Sequence, residues 1–324
     1  MEALPCDILL EIFRRLDAST LFRCAVACKR WRCAIVADAP CLRPRPDRFC
    51  PDLLVDITLA EHAAGVDLSS YGKTLSSRDG LVLLGGSRDL CLYNPMNGNH
   101  IVLEGGAAAV KFKPRVYVLL TGHDLPQPST AEEFAILAAS YDGGVLTRQV
   151  FSSKAGEWGP AMSSPEIRVS MLNGHEAVCG GVVHWLAYAN YEMKQIVSVD
   201  VRTGRTRTTD LPEECWTLDW LSFGVLALTT SGDGLRLSVA MSTAMSMGED
   251  KIRIWELDGG GSSGSGVGVW TERRMVDLGK HVPGNVFVSL WRFCPRSGWL
   301  LAGAGRQALR VHVEGAGPVQ CALS

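Results

Sequence analysis

The stretch Ser77-Arg78-Asp79-Gly80-Leu81-Val82-Leu83-Leu84, followed by Leu92-Tyr93-Asn94-Pro95, decides the fold class of this 324-residue chain. An Asp-Gly pair accepts the backbone angles of a tight turn. The four apolar residues after it are too short a run for a helix and suit a buried strand. The second apolar run ends on Asn-Pro, another turn pair. The same texture fills the chain beyond Pro51, where short β-branched and aromatic runs alternate with Gly, Asn, Asp and Pro. It predicts strands at Leu81–Leu84, Leu90–Tyr93, Val116–Leu120, Phe134–Tyr141, Val145–Phe151, Val182–Leu186, Ile196–Val201, Gly224–Thr229, Leu235–Met241, Ile252–Leu257, Val286–Phe293, Trp299–Ala302 and Leu309–Val313. Nothing between them reads as a long amphipathic helix. That argues against a βαβ sheet and for a sandwich or a propeller.

A weak repeat chooses between these. A glycine turn leads into an apolar strand at Asp79-Gly80, Gly180-Gly181, Phe223-Gly224 and Ser297-Gly298. A second element ends in a polar turn at Asn94 to Gly98, at Asp200 to Gly204 and at Asp258-Gly259. Gly98 and Gly204 are 106 residues apart, and Gly204 and Gly259 are 55 apart. Those distances fit two units and one unit of a repeat of about 50 residues, the size of a kelch-like blade. A blade cannot bury its faces alone, so several must stack. The chain length predicts five or six. Asp52–Leu59 is apolar enough to be a first propeller strand, and Gly259–Gly268 reads as a flexible hairpin tip.

The first fifty residues are different in kind. They hold nine Lys+Arg and six Asp+Glu, against 23 and 28 in the rest. Leu4-Pro5-Cys6-Asp7 reads as a helix start, with Pro in the first turn and Asp at the positive end of the dipole. The apolar positions from Ile8 to Leu16 cover an arc of roughly 200°, where one core face needs only about 100°. This helix therefore predicts two buried sides. Asp17 to Thr20 offers caps for a second helix, on which Leu21, Cys24 and Cys28 share a face. Lys29-Arg30 precedes Trp31 and a short third helix, ended by Pro40, Pro44 and Pro46. Three short helices in about 40 residues make a marginal domain, which needs a metal, disulfides or a partner.

The composition excludes several classes. Hydrophobic residues make up 47% and charged residues 20%, which describes a globular chain with a sizeable core and not a disordered one. The net charge of −2 argues against a dedicated nucleic-acid binder. No apolar stretch reaches the roughly 20 residues of a bilayer helix. Glu2, Asp7 and Glu11 stand where a secretory leader would be basic and then apolar, so an intracellular chain is expected. The 11 cysteines are odd in number, lack any Cys-X-X-Cys and show no zinc-module spacing. They read as small buried thiols. With metal and disulfides set aside, a partner is left to cover the wide apolar arc.

Leu4-Pro5, Ile8-Leu9, Glu11-Ile12-Phe13, Leu16, Leu21 and Cys28-Lys29-Arg30-Trp31-Arg32 resemble an F-box in order and spacing, with Cys6-Asp7 in place of the usual Asp-Glu. The resemblance implies a helical hook that binds a Skp-type adaptor and, through it, the cullin and RING subunits of a ubiquitin ligase. It places Leu4, Pro5, Ile8, Leu9, Ile12, Phe13 and Leu16 in the segment that packs on the adaptor or supports that surface. Leu21, Cys24, Cys28 and Trp31 fall in the F-box core. The stretches around Asp79-Gly80 and Tyr93-Asn94-Pro95 resemble the F-box-associated β-propellers of plant F-box proteins. The expected fold is multidomain: a small all-α F-box at 1–42, a linker and first strand at 43–75, and an all-β, propeller-like recruitment domain at 76–324.

Two catalytic patterns occur and neither has its structural context. Gly260-Gly261-Ser262-Ser263-Gly264 fits a nucleophile elbow, which needs a strand before it and a helix after it. Gly303-Ala304-Gly305-Arg306-Gln307-Ala308 fits a dinucleotide loop, but Leu309 onward alternates like a strand. The seven histidines show no metal spacing, and His184 reads as a residue on the alternate face of a strand. Trp255 and Trp270 are expected to pack between blades. The favoured reading is a non-catalytic substrate receptor, without cofactor, nucleic-acid or membrane partner, in the cytoplasm or nucleus. The competing readings are a propeller enzyme or small-molecule binder with a helical cap, and an F-box scaffold acting outside the ligase. The target-binding residues cannot be read from the sequence.

Overall fold

The computed structural model describes Phe13, Cys24 and Lys29–Ala37 within the first 70 residues, and the strands and most connections from Tyr71 to Leu323. The stretches left out of that second part are 95–98, 126–132, 165–166, 168–170, 190–191, 219–224, 232–234, 244–250, 259–268, 283–285, 295–297, 305–306 and 314–319, with a few single loop positions. Asp52–Leu59 lies outside the described residues. The chain divides into two compact units, Met1–Ala109 and Val110–Ser324.

The first unit holds helix α1 (Lys29–Ala37) and a four-stranded sheet of β1 (Lys73–Arg78), β2 (Leu81–Gly85), β3 (Leu90–Tyr93) and β4 (His100–Leu103) in that spatial order. The Asp79-Gly80 pair does what its chemistry suggests. Arg78 pairs with Leu81, leaving a two-residue turn in which Asp79 has φ 51° and Gly80 φ 81°. Positive φ at both central positions is the type I′ turn, whose twist matches that of the strands it joins. Val82, Leu84, Cys91 and Tyr93 form the sheet's buried cluster, with Tyr71 against it.

The second unit holds four sheets in succession. The first of them is β5 (Val116–Thr121), β6 (Phe134–Asp142), β7 (Val145–Ser152) and β8 (Glu157–Trp158), with β9 (Met162–Ser164) also on β7. The next is β10 (Met171–Cys179), β11 (Val182–Ala189), β12 (Glu192–Asp200) and β13 (Thr206–Asp210), with β14 (Thr217–Leu218) on β12. Then come β15 (Leu226–Thr230), β16 (Leu237–Ser242), β17 (Lys251–Asp258) and β18 (Val269–Asp277). The last is β19 (Val288–Cys294), β20 (Trp299–Ala304), β21 (Gln307–His312) and β22 (Gln320–Leu323). Every pairing is antiparallel between neighbours, so each sheet is an up-and-down meander, the unit from which propellers are built. With one such sheet in the first unit and four in the second, the β portion is of five-bladed propeller type among the described residues. Five is the lower of the two numbers expected.

Within the second unit the blades pack face on face, and this explains their sequences. Along β11, Val183, Trp185 and Ala187 join the core shared with β5–β7. The alternate residues Leu186 and Tyr188 join the core shared with β15–β17. A third core lies between β15–β18 and β19–β21. A strand buried on both faces must be apolar at most consecutive positions, which is why the central strands read as largely apolar runs. Trp255 is buried in the core between the third and fourth blades and Trp270 packs against it, as expected. The first strands of successive blades lie together, β10 with β15 and β15 with β19.

The spacing of the polar turns has a simple origin. Gly98, Gly204 and Gly259 all fall between the third and fourth strands of their sheets, in the first, third and fourth blades. The 106-residue interval therefore spans two blades and the 55-residue interval one. The glycine turns are less uniform. Gly80, Gly181 and Gly298 precede second strands, whereas Gly224 precedes β15, the first strand of its sheet. Gly181 is fixed by more than its turn. It has φ 79°, and a Cβ there would lie 2.8 Å from the Asp124 carbonyl oxygen of the preceding blade.

Polar side chains tie neighbouring blades at their outer parts. Arg148 on β7 donates to the Gly204 carbonyl beyond β12 and to Ser164 Oγ at 2.7 Å. Arg274 on β18 donates to the His312 carbonyl at the end of β21. Trp270 Nε1 donates to the Asp210 carbonyl at the end of β13, 2.8 Å away. Burial holds both guanidinium pKa values below the ordinary range. Among the described residues, no helix is long and apolar enough to cross a membrane.

Candidate functional site

The N-terminal candidate site is seen through a few residues. Leu4, Pro5, Ile8, Leu9, Ile12, Leu16, Leu21 and Cys28 lie outside the described residues, as do the first two expected helices beyond single helical positions. Phe13 and Cys24 are helical, and α1 occupies the place of the third helix. Phe13 is 1% exposed, and its ring meets Trp31 of α1 edge-on, with centroids 6.1 Å apart and planes at 70°. Ile35, one turn beyond Trp31, is buried. An aromatic pair of this kind anchors short helices that have little other core. Phe13 is thus a buried core residue packed on α1. Cys24 is half-buried, and burial pushes its thiol pKa up. It is a free thiol, as are Cys91 and Cys215.

In the second unit a cleft of about 220 Å³ opens between the second and third blades. Arg148, Met162, Asp200 and Arg202 contribute to its wall. Arg148 is 4% exposed and committed to Ser164 and Gly204, so it serves as a tie between blades. The Asp200 carboxylate closes its own turn by accepting from the Arg202 and Thr203 amides at 2.9 and 3.0 Å. The cleft walls are therefore held by their own hydrogen bonds.

The two rejected motifs have the contexts that rejection requires. The Gly/Ser tract at 259–268 is followed by strand β18, and Asp258 pairs with Val269 across it. The Gly-X-Gly stretch joins β20 to β21 as a hairpin with Ala304 paired to Gln307. His184 lies on the opposite face of β11 from Trp185, as the alternation predicts, with Nδ1 2.8 Å from Ser198 Oγ. Burial pushes its pKa down from 6.5 to about 4. The unfolded chain therefore takes up a proton between those values that the folded chain refuses. Stability should fall as the pH drops from 6.5 toward 4, by roughly 3 kcal/mol in total. Chemical denaturation of His184→Gln across that interval should show a flatter pH profile than the parent; parallel profiles would contradict the assignment.

Sequence reasoning did not single out one further group. Trp216 Nε1 donates to the Leu211 carbonyl at 3.0 Å, beside the Trp270 bond to Asp210. Glu213 and Glu214 form an exposed 3-10 turn with Cys215 just before Trp216. Cys215 is buried, and its thiol pKa is pushed up, first by burial and then by Glu214. The signal in the sequence is the acidic run Asp210 to Glu214 closing on a tryptophan, which resembles an ordinary loop until the indole bonds are seen.

These features define a class of protein: a short helical segment with an aromatic core, joined to propeller-type blades. Residues 1–40 match the family described as F-box-like, so the N-terminus carries an F-box-like domain. Residues 64–306 match the family described as "Domain of unknown function (DUF7595)", and the chain belongs to that family. No curated protein matches the chain. Among solved structures it is similar to Kuenenia stuttgartiensis hydrazine synthase, with 9% identity and a TM-score of 0.41, over 72% of this chain and 62% of that one. It is also similar to the Dos1 propeller, with 8% identity and a TM-score of 0.39, over 78% and 60%. A third is an oligogalacturonate lyase in complex with manganese, with 10% identity and a TM-score of 0.37, over 75% and 73%. The chain spans about three fifths of the length of the first two.

Proposed function

We propose that this chain is the substrate-receptor subunit of an SCF-type cullin–RING ubiquitin ligase, acting in the cytoplasm or nucleus. The observation that carries the reading is the union, in one chain, of an F-box-like match over residues 1–40 and a blade domain matched over 64–306. F-box domains generally bind Skp-type adaptors, and blades offer loops and edges to a second protein. The likeness of the Asp79-Gly80 and Asn94-Pro95 stretches to plant F-box-associated, kelch-like propellers supports the same arrangement.

The mechanism is proximity. The F-box-like segment docks the adaptor, the adaptor brings the cullin and RING subunits, and the blades hold a target beside a charged ubiquitin-conjugating enzyme. Tethering raises the effective concentration of a target lysine at the thioester, and orientation lowers the barrier further. The chain itself acts without catalysis and without a cofactor. Affinity purification of the full chain under proteasome inhibition should recover a Skp-type adaptor and a cullin in near-stoichiometric amounts. Recovery of the chain with neither would contradict the reading.

A further inference from the structure

The end of β13 carries two tryptophans fixed within one peptide unit of each other. Trp270 donates to the Asp210 carbonyl and Trp216 to the Leu211 carbonyl, at 2.8 and 3.0 Å. Both indoles have their polar atom satisfied and their orientation set before any partner arrives, which lowers the ordering cost of binding. Trp216 is nevertheless 44% exposed, and Val269, next to Trp270, is 64% exposed. The floor is firm, since Leu211 and Cys215 are buried in the core of the third and fourth blades. Rigid, partly exposed tryptophans on a packed base are what interface hot spots are made of.

Three exposed carboxylates adjoin these indole bonds in the chain. Asp210, Glu213 and Glu214 are exposed, and Glu214 lies near enough to Arg253 to help hold its guanidinium pKa up. The Asp210 carboxylate accepts an amide hydrogen from Gln195, at 2.9 Å. The cations nearest in the fold are already committed. Arg253 is bonded to Glu272 and lies over the Trp255 ring at 4.8 Å, and Arg273 is bonded to Asp258 and paired with Glu256. Three carboxylates beside two indole faces favour a cation that can sit over a ring. They repel phosphates. They also disfavour a second copy of this chain, since residues 51–324 hold 28 acidic against 23 basic side chains.

We propose that this ledge of Trp216 and Trp270, flanked by Asp210, Glu213 and Glu214, docks a segment of the target protein that carries arginine or lysine beside an apolar residue. The inference rests on the receptor reading for the word target, but the recognition chemistry stands on the ledge alone. The apolar residue packs on Val269 and the indole edges, and the cation lies over an indole face within reach of the carboxylates.

The test uses the full chain, 15N-labelled at its tryptophan indoles, and two acetylated hexapeptides. One is Arg-Leu-Lys-Arg-Leu-Ala and the other has Glu at each basic position. The basic peptide should bind at least about tenfold more tightly, shift the Trp216 and Trp270 indole resonances, and weaken with salt. Glu213→Gln with Glu214→Gln should weaken it about fivefold without moving the unfolding temperature, and Trp216→Ala about tenfold. Equal binding of both peptides, binding undiminished in the Gln double variant, or no binding of either would overturn the proposal. Adaptor capture is read on the same samples. Adaptor retained with the peptide unbound removes the ledge and leaves the receptor reading. Peptide bound with no adaptor captured supports the ledge and removes the receptor reading.

Discussion

Replacing Trp185 with alanine should lower the unfolding temperature of the second unit by roughly 10 °C. Among the described residues Trp185 is the largest fully buried side chain, and it sits in the core shared by the second and third blades. Around it are Leu137 and Ala139 from β6 and Val197 and Val199 from β12. Both blades are rigid sheets, so neither can collapse into the space an indole leaves. A truncation of this kind costs about 3 to 5 kcal/mol from lost transfer energy and the residual cavity. Trp185→Phe separates packing from polarity. The Trp185 Nε1 hydrogen has no acceptor among the described residues, so phenylalanine removes a buried orphan donor while keeping most of the ring. Its loss should be less than half that of alanine. Calorimetry of the three proteins checks this, and an unchanged transition in Trp185→Ala would mean that the two blades do not share a core.

Much of the blade pattern was legible because its central strands are buried on both faces. Leu90–Tyr93 was read to the residue, and Phe134–Asp142 and Lys251–Asp258 to within a residue at each end. The fourth strands were not read. β4, β13 and β18 are polar or largely exposed, with Thr206-Arg207-Thr208-Thr209-Asp210 having no apolar residue at all. Such a strand is held by its backbone ladder to the third strand, not by side chains that leave a pattern. β10 was missed for another reason. Asn173-Gly174 looks like a turn, but the register with β11 shifts between Leu172 and Glu176, so a bulge carries that segment through the strand.

The candidate sites divide along the same line. The F-box-like segment was legible because its residues lie close together in the chain and in fixed order. The Arg148 tie and the Trp216–Trp270 ledge were not, because each brings together residues from different strands or blades. Arg148 is 56 residues from the carbonyl it binds, and Trp270 is 60 from its own. No local spacing announces such a pair.

If the first forty residues dock a Skp-type adaptor, as proposed, the blades should fold independently of that contact. The largest effect on binding should come from changing Leu4, Pro5 and Ile12 together to alanine. Leu4 and Pro5 open the segment that the sequence predicts to be helical, and Ile12 falls within its predicted apolar arc, which one core face cannot use up. Removing three apolar contacts from a surface of that size should weaken adaptor binding by more than about 100-fold. Phe13, which meets Trp31, is left in place, so the helical core keeps its aromatic pair. The measurement is isothermal titration of purified full chain with the adaptor, parent against triple variant, with far-ultraviolet circular dichroism and unfolding temperature on the same samples. Adaptor binding should be lost, with the β spectrum and the transition of the blades unchanged. Undiminished adaptor binding by a folded triple variant would contradict it.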